Sequence, residues 1–447
     1  MTPTLLLAAA MAAPTDDSVV RLAVQPAAAP KPALKYQLLP EVRELVPGNP
    51  VQWYLRCFAE QRNFFFSKEG VAQRVKYQKM TLEELAGQKL ERFGGSALTQ
   101  ADYGARLDTP DWQVLERLQS DGVELTQPEL PPLRLLAESL QIRFRTEIAR
   151  KDFDAAVATA KTMFALARHL GESPSPAASR LGIDVAGLAL DTVGEMIQQP
   201  GCPNLYWALT ELPAPLVDIR KGLQGHRAQT DRELAPVRGD APLTEAELDE
   251  VVGRLAGRAS FARVQAGLPP LNLRKTITDR AADAAYLKAA RTRLADGGLR
   301  EAAAALLPPL QVVLVEEKQA FEARRDDELK LVGLPPADVE RLAVKREAGL
   351  NVLFADLLPK AADARLAQAR LEQRVGVLRH VEALRMSAAA RGGRLPETPA
   401  DVTVPLPTDP FTGKPFGYAV KNGVATLTAA APKAGAKGLR YEVSIRK

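Results

Sequence analysis

The chain has few of the residues that build metal or thiol sites. Its 447 residues include two cysteines, Cys57 and Cys202, and three isolated histidines, His169, His226 and His380. The cysteines have no CxxC spacing and the histidines form no HExxH or HxH motif, so the sequence predicts no metal site. For the cysteines two alternatives stay open. They pair in an oxidising compartment, or they are two separate buried thiols, which is the interpretation we favour.

Long apolar runs are also scarce. After residue 13 no segment approaches the roughly 20 consecutive apolar residues that a membrane-spanning helix needs, so we predict no transmembrane span in the mature chain. The nine-residue run Leu5–Ala13 has the size of a secretory apolar region and ends in small residues. We therefore predict a signal peptide over 1–13 and a periplasmic or cell-envelope location. A cytoplasmic location is the alternative, because no Lys or Arg precedes the run.

Positive charge is concentrated at the end of the chain. Residues 421–447 contain six Lys or Arg residues and one Glu, which accounts for the whole formal net charge of +5. The balanced remainder argues against a nucleic-acid groove, since such a groove clusters Lys and Arg. The basic tail predicts a solvent-exposed sheet edge whose cations prevent pairing with another chain. Weak contact of the tail with an anionic membrane surface is the alternative.

Recognisable catalytic motifs are absent from the sequence. It contains no GxSxG nucleophile turn and no GxGxxG dinucleotide loop. The best catalytic candidate is His226, which has Asp218, Arg220 and Arg227 nearby in the sequence. We interpret it as a surface histidine near helix termini. The sequence thus predicts no catalytic residue, cofactor or metal, and a helical enzyme with an unrecognised active site is the alternative.

Helix-forming residues dominate what the chain does contain. Ala, Leu, Arg and Glu fill long stretches, and the length suggests two to four domains. Composition and Pro/Gly positions predict these parts: a signal peptide over 1–13, an Ala/Pro-rich lead-in over 14–40, an aromatic-rich helical subdomain over 41–125, a helical hairpin domain over 126–240, a long-helix domain over 241–391, and a terminal turn and sheet over 392–447.

The middle of the chain predicts a helical hairpin. The segment RKDFDAAVATAKTMFALARHL is similar to the second helix of a tetratricopeptide (TPR) hairpin, although no 34-residue period follows it. Beyond the hairpin, Asn204 precedes Tyr206 and Trp207. We expect Asn204 to cap the next helix with its side-chain oxygen, and the two aromatic residues to pack on the hairpin.

The last 56 residues have the sequence pattern of strands and turns, whereas the preceding residues have that of a helix. Gly392 and Gly393 predict the end of a long helix. Asn422 and Gly423 separate two apolar runs, which is the strongest short signal for a β-hairpin. Apolar and polar residues alternate over 439–446, as in a half-buried strand. We therefore predict a small three-stranded antiparallel sheet.

The segment PTDPFTGKPFGY immediately precedes this sheet. Its Gly413-Lys414 pair fails the phosphate-loop pattern, because Thr408 stands where that motif needs its first glycine and Pro415 where it needs Ser or Thr. Asp409-Pro410 and Thr412-Gly413 instead favour two successive turns. We interpret the segment as architecture.

Two family resemblances rest on these segments. GGRLPETPADVTVPLPTDPFTGKPFGY, after a long helix, resembles the C-terminal hairpin region of type II secretion pseudopilins. The resemblance covers about a tenth of the chain. No polymerising apolar helix precedes the segment, so filament assembly is not implied. Together with NLYWALTELPAPLVDIRKGLQG, the chain also resembles helical protein families of planctomycete bacteria. That resemblance implies an exported or envelope protein and carries no activity.

The sequence therefore predicts a mainly α fold, a multi-helix hairpin assembly with a small C-terminal antiparallel sheet. The predicted function is a non-enzymatic, exported structural or protein-interaction role with an unknown protein partner.

Overall fold

A computed structural model describes residues 19–90, 93–122, 125–265, 269, 271–347, 353–433 and 435–446. The predicted signal peptide over 1–13 lies outside the described residues. Within them the chain forms eighteen α-helices and one small sheet, which confirms the mainly α fold class.

Six short helices make up the aromatic-rich part. The Asn49 side chain accepts a hydrogen bond from the backbone N–H of Val51 and caps the first helix. The ring of buried Phe65 lies 4.8 Å from that of Phe58, so the aromatic residues pack on one another. The helices are α1 (Pro50–Glu60), α2 (Arg62–Phe66), α3 (Lys68–Lys79), α4 (Leu82–Ala86), α5 (Ser96–Ala105) and α6 (Leu115–Asp121).

Three long helices form the centre of the molecule, and two shorter helices follow them in the chain. Asp152 and Ser175 cap two of them through their side-chain oxygens. At Gly225 a β-carbon would lie 1.9 Å from the carbonyl oxygen of Pro174, so only glycine permits this close approach. The helices are α7 (Leu130–Ala149), α8 (Phe153–Gly171), α9 (Pro176–Met196), α10 (Tyr206–Thr210) and α11 (Arg220–Leu234).

A second group of helices surrounds its own apolar cluster. This cluster extends from Leu234 to Phe354 and includes buried Val312 and Phe321 of the 21-residue helix that begins at Pro309. The helices are α12 (Glu245–Gln265), α13 (Leu273–Ala282), α14 (Ala284–Asp296), α15 (Glu301–Leu306), α16 (Pro309–Leu329) and α17 (Pro336–Glu347).

The two ends of the chain meet in one sheet. Its strands, in the spatial order β1-β4-β3-β2, are β1 (Val20–Val24), β2 (Gly417–Lys421), β3 (Val424–Thr428) and β4 (Arg440–Ile445). The three C-terminal strands are antiparallel, as predicted, whereas β1 pairs parallel with β4 and places Leu22 opposite Val443. The predicted count of three strands is therefore wrong, because a short apolar strand lies inside the predicted lead-in.

The 30-residue helix α18 (Ala361–Ala390) connects the sheet to the central helices. Its buried residues Val377, Val381 and Leu384 belong to the same apolar cluster as Leu22 and Val443 of the sheet. This largest cluster also contains residues of α1, α5 and α7–α9. The N-terminal strand, the central helices, α18 and the sheet therefore share one core.

Candidate functional site

A cleft that contains several charged side chains lies between α5, α7 and α8. It has a volume of about 320 Å³ and contains the ionisable side chains of Glu44, Asp102, Arg143, Glu147 and Lys161. Convergent charged groups in a concave site are the usual setting for binding or proton transfer. We therefore treat this cleft as the candidate functional site.

Arg143 makes hydrogen bonds to two other residues of the cleft. Its two terminal nitrogens donate to the two carboxylate oxygens of Asp102 at 2.8 and 2.6 Å, which is a bidentate pair. Its Nε donates to the hydroxyl oxygen of Thr159 at 2.9 Å. The hydroxyl of Thr162 donates to Asp102 at 2.7 Å. Arg143 is thus held in one orientation by groups from α5 and α8.

The pKa of the Glu147 carboxyl lies near neutrality. Burial raises the pKa of its carboxyl from its ordinary value of 4.5 to about 7, and the attraction of Arg143 only partly offsets burial. The hydroxyl of Thr159 donates to this carboxylate at 2.6 Å. Glu147 can therefore take up or release a proton near pH 7 while Thr159 fixes its position.

A second ion pair borders the cleft. The Nζ of Lys161 donates to both carboxylate oxygens of Glu44 at 2.8 Å. Burial alone would raise the pKa of Glu44, but Lys161, the backbone N–H of Glu41 and the charge of Arg43 together bring the pKa below its ordinary value. The pair also lines a neighbouring depression of about 370 Å³ that includes Lys35 and Tyr36.

Another polar cluster is completely enclosed and joins distant parts of the chain. The guanidinium of Arg385 pairs with the carboxylate of Glu382 at 2.7 Å, and the two side chains are 1% and 0% exposed. Arg385 also donates to the carbonyl oxygens of Gln25 at 2.9 Å and Cys202 at 2.8 Å. This cluster connects α18 to the segment after β1 and to the loop before α10.

Asn204 belongs to the same enclosed cluster. Its side-chain oxygen accepts from the backbone N–H of Tyr206, the first residue of α10, at 3.0 Å, although Leu205 and not Asn204 occupies the N-cap position. Its amide nitrogen donates to the carbonyl oxygens of Glu382 at 2.9 Å and Ala27 at 3.3 Å. The half-buried ring of Trp207 stands edge-on to the ring of Tyr206, 4.9 Å away. Asn204 therefore joins three segments in addition to ordering the helix start.

Asp409 is the buried centre of the PTDPFTGKPFGY segment. Only 2% of Asp409 is exposed, and its carboxylate accepts from the backbone N–H groups of Phe411 at 2.9 Å and Ala430 at 2.6 Å. The side-chain amide of Gln373 on α18 donates to both carboxylate oxygens, at 2.9 and 3.0 Å. These contacts fasten the segment to α18 and to the end of β3.

Two glycines of the C-terminal region, Gly413 and Gly423, lie at turns with positive φ. Gly413 has a φ of +66° and donates from its backbone N–H to the carbonyl oxygen of Asp409 at 2.8 Å. The backbone of Asp409 also donates to the carbonyl oxygen of Lys414, while the Lys414 side chain is exposed and Pro410 is half-buried. Further along, Asn422 and Gly423 have φ values of 52° and 76° between β2 and β3.

The end of α18 has the geometry of a glycine cap. Gly392 and Gly393 have φ values of 61° and 84°. The backbone N–H of Gly393 donates to the carbonyl oxygen of Ala388 at 2.8 Å, which is the longer hydrogen bond of a Schellman motif.

The two cysteines are separate buried thiols, so the disulfide alternative is wrong for this structure. The thiol of Cys57 donates to the carbonyl oxygen of Ala97 at 3.1 Å, whereas that of Cys202 donates to Pro203 at 3.3 Å. Burial raises the pKa of both thiols to about 12. Each cysteine is therefore an uncharged core residue near neutral pH.

His226 is half-buried and does not lie on the open surface as we interpreted from the sequence. Burial, with the charge of Arg325, lowers its pKa to about 4. The nearby Asp218 pairs with Arg220 at 2.7 Å, and Arg227 contacts Asp326 at 3.4 Å. The charged residues that the sequence grouped with His226 as a catalytic candidate thus form separate ion pairs in the structure.

Sequence reasoning missed the cleft. Arg143 and Glu147 are four residues apart on α7, a spacing visible in the sequence but common on any charged helix. Asp102 comes from a different helix, α5. Only the packing of α5 against α7 and α8 brings the three together.

Comparison with protein-family models, with curated proteins and with solved structures gave no match. Among the described residues, no group of three or more His, Cys, Asp or Glu side chains is placed to hold a metal ion. In the same part of the chain, no helix combines the length and apolar content that crossing a bilayer requires.

Proposed function

We propose that this protein has a non-enzymatic structural or protein-interaction role in the cell envelope, which it reaches by export. One observation carries the proposal: exposed apolar side chains concentrate on α1–α3. Leu55, Phe66, Val71 and Val75 are 39%, 48%, 44% and 43% exposed within 21 residues of sequence. Apolar side chains grouped on a surface are typical of a site that a protein partner covers.

Two polar residues that the sequence singled out, Asn204 and Asp409, support the same proposal, together with Arg385 and Glu382. Arg385, Glu382, Asn204 and Asp409 are each no more than 2% exposed and bond to backbone groups of distant segments. Such contacts stabilise one arrangement of the chain. These side chains therefore help to keep the protein rigid, as a binding scaffold requires.

The partner surface is tested by photo-crosslinking in the cells that produce the protein. A photoreactive residue at Val71 should capture one defined protein, and the additional change Val75→Ser should reduce the yield several-fold. The matched control places the photoreactive residue at Val42, which is 86% exposed but lies outside α1–α3. Equal products from both positions, or none from Val71, would refute the proposed interaction.

Export is tested separately by cell fractionation and intact mass. A product that begins at Pro14 in the envelope fraction is the expected result. An intact chain beginning at Met1 in the cytosol would contradict it.

An enzyme is the second candidate function, and Glu147 is the observation that favours it. Its pKa of about 7, in a cleft with Arg143 and Asp102, suits general acid–base chemistry. A panel of ester, phosphate and glycoside substrates, assayed between pH 5 and 9, tests this function. Turnover with a midpoint near pH 7 that Glu147→Gln abolishes would support an enzyme over a scaffold.

A further inference from the structure

Six residues of α3 form an exposed row that we call the α3 face. Their spacings of three and four place them on one side of the helix. All six are exposed in the structure. They are Lys68, Val71, Ala72, Val75, Lys76 and Lys79.

The opposite side of α3 is fixed to the protein. Arg74 donates to the carbonyl oxygens of Phe64 and Phe65 at the end of α2, the latter at 2.7 Å. At Gly70 a β-carbon would lie 2.2 Å from the carbonyl oxygen of Phe64, so the two helices are in direct backbone contact. The α3 face is therefore presented on a preformed support, which lowers the ordering cost of binding.

The α3 face combines apolar and positive character. Three lysines surround Val71 and Val75, and within the described part of the chain these lysines make no ion pair. One acidic residue of α3, Glu69, is also exposed and lies two turns before Lys76, so the three lysines leave this surface with a net positive charge. Exposed Arg62 and Phe66 of α2 extend the same combination of a cation and an apolar side chain. An acidic partner would therefore meet a complementary surface.

The shape beside the α3 face suits a helix. A shallow groove of about 600 Å³ lies between α2 and α3 and shares Ala72 and Lys76 with the α3 face. Phe64 and Tyr77 add apolar lining, and Glu69 adds one carboxylate. Twelve residues of α3 span about 18 Å, so a partner helix of three to four turns covers the face.

We propose that the α3 face binds an acidic amphipathic helix of a partner protein, with apolar residues at spacings of three and four and Asp or Glu on both flanks. This inference rests on the proposed interaction role and specifies its partner. A membrane surface fits less well, because interfacial helices insert several bulky residues such as Trp, Phe or Leu, whereas the α3 face offers two valines and one alanine and Phe66 of α2 adds one bulky side chain. A concave groove also accepts a helix better than a planar bilayer.

The test uses a labelled synthetic peptide of about 14 residues, with Leu at spacings of three and four and Glu at the flanking positions. Fluorescence anisotropy with the full chain should show saturable binding that weakens at least tenfold when NaCl rises from about 50 to 500 mM. The matched control peptide carries Lys in place of each Glu and should bind at least tenfold more weakly.

Two variants separate the contributions of charge and apolar contact. Lys68→Glu/Lys76→Glu/Lys79→Glu should lose the acidic peptide and gain the basic one, which a merely damaged protein would not do. Val71→Ser/Val75→Ser should weaken the acidic peptide with a smaller change in salt dependence. All five positions are exposed, so far-ultraviolet circular dichroism should show unchanged folding.

Three outcomes would overturn the inference: equal binding of both peptides, no binding of the acidic peptide, or binding to phosphatidylserine vesicles alone. The crosslink at Val71 distinguishes this failure from failure of the proposed function. If the triple charge reversal leaves the captured protein still crosslinked, the interaction role stands and the acidic helix is refuted as its partner. Absence of a captured protein removes the interaction role itself.

Discussion

Arg385 and Glu382 form an ion pair, one turn apart on α18, that has almost no access to solvent. The guanidinium and the carboxylate are 2.7 Å apart and the side chains are 1% and 0% exposed. Each also bonds to the loop before α10, since Glu382 accepts from the backbone N–H of Leu205 at 3.0 Å and Arg385 donates to Cys202. The pair therefore stabilises the junction between α18 and the centre of the molecule.

Removing one member of this pair should strongly destabilise the protein. Arg385→Met leaves the Glu382 carboxylate buried without its cation, which typically costs about 3–5 kcal/mol of unfolding free energy. Urea denaturation measures the change. Arg180→Met, in an exposed pair with Asp184 at 3.3 Å, is the control and should cost below about 1 kcal/mol. Similar losses from both variants would show that the buried pair has no special role.

The turn residue Asp409 should matter more to stability than its neighbour Lys414. Asp409→Ala leaves the N–H groups of Phe411 and Ala430 and the amide of Gln373 without their acceptor. A buried donor without a partner costs about 1–3 kcal/mol, so we expect a loss of at least about 3 kcal/mol in total. Lys414→Ala should stay within about 0.5 kcal/mol, because this side chain is exposed.

Thermal unfolding of the two variants checks this prediction. A larger effect of Lys414→Ala than of Asp409→Ala would contradict the architectural interpretation of the segment.

The N-terminal strand should contribute to the common core. Leu22→Ala removes a side chain that is 4% exposed in the largest apolar cluster, and such truncations cost about 2–5 kcal/mol. Arg21→Ala is the control on the same strand, since its side chain is 78% exposed. Hydrogen exchange of the β4 amides should accelerate in Leu22→Ala alone. Unchanged protection of β4 would mean that β1 is dispensable to the sheet.

The pKa of Glu147 predicts a specific pH dependence of stability. Since the native carboxyl titrates near pH 7 and an unfolded one near its ordinary value of 4.5, the native state binds more protons between these values. The unfolding free energy should therefore fall as pH rises from 4.5 through 7, by the contribution of this group. Glu147→Gln removes that contribution, so the variant should gain stability relative to the natural protein as pH rises.

Denaturation of both proteins at pH 5, 6, 7 and 8 measures the difference between their unfolding free energies. Other titrating groups are the same in both proteins, so their contributions cancel in this difference. His380 is one such group, since burial lowers its pKa to about 4 and acts in the opposite direction. A difference that does not change with pH would show that Glu147 titrates at an ordinary value.

Sequence patterns predicted the elements whose signals are local. The Asn422-Gly423 hairpin and the glycine end of α18 both occur where their motifs lie. Each depends on hydrogen bonds or φ values within a few residues, so the pattern is present in the sequence itself. The predicted signal peptide, export and partner remain predictions.

The candidate cleft escaped prediction because its contacts are long-range. Asp102 and Arg143 are 41 positions apart, and neither stands in a motif. The same holds for Asn204, which the sequence identified as a helix cap but which also donates to Glu382, 178 positions away. Pairings of this kind depend on how helices pack, and single charged or amide residues carry no periodic signal of their partner.

The sequence by itself determined the helical class, the turns and the alternation of the last strand, because propensity and spacing act within one element. Tertiary structure alone decided that β1 joins β4, so that Arg21 meets Glu442 across 421 positions. A five-residue strand has too short a pattern to name its partner, and burial of its apolar side against α18 and the central helices selects the pairing. The same packing decided which polar residues are buried at contacts between distant segments and which line an open cleft.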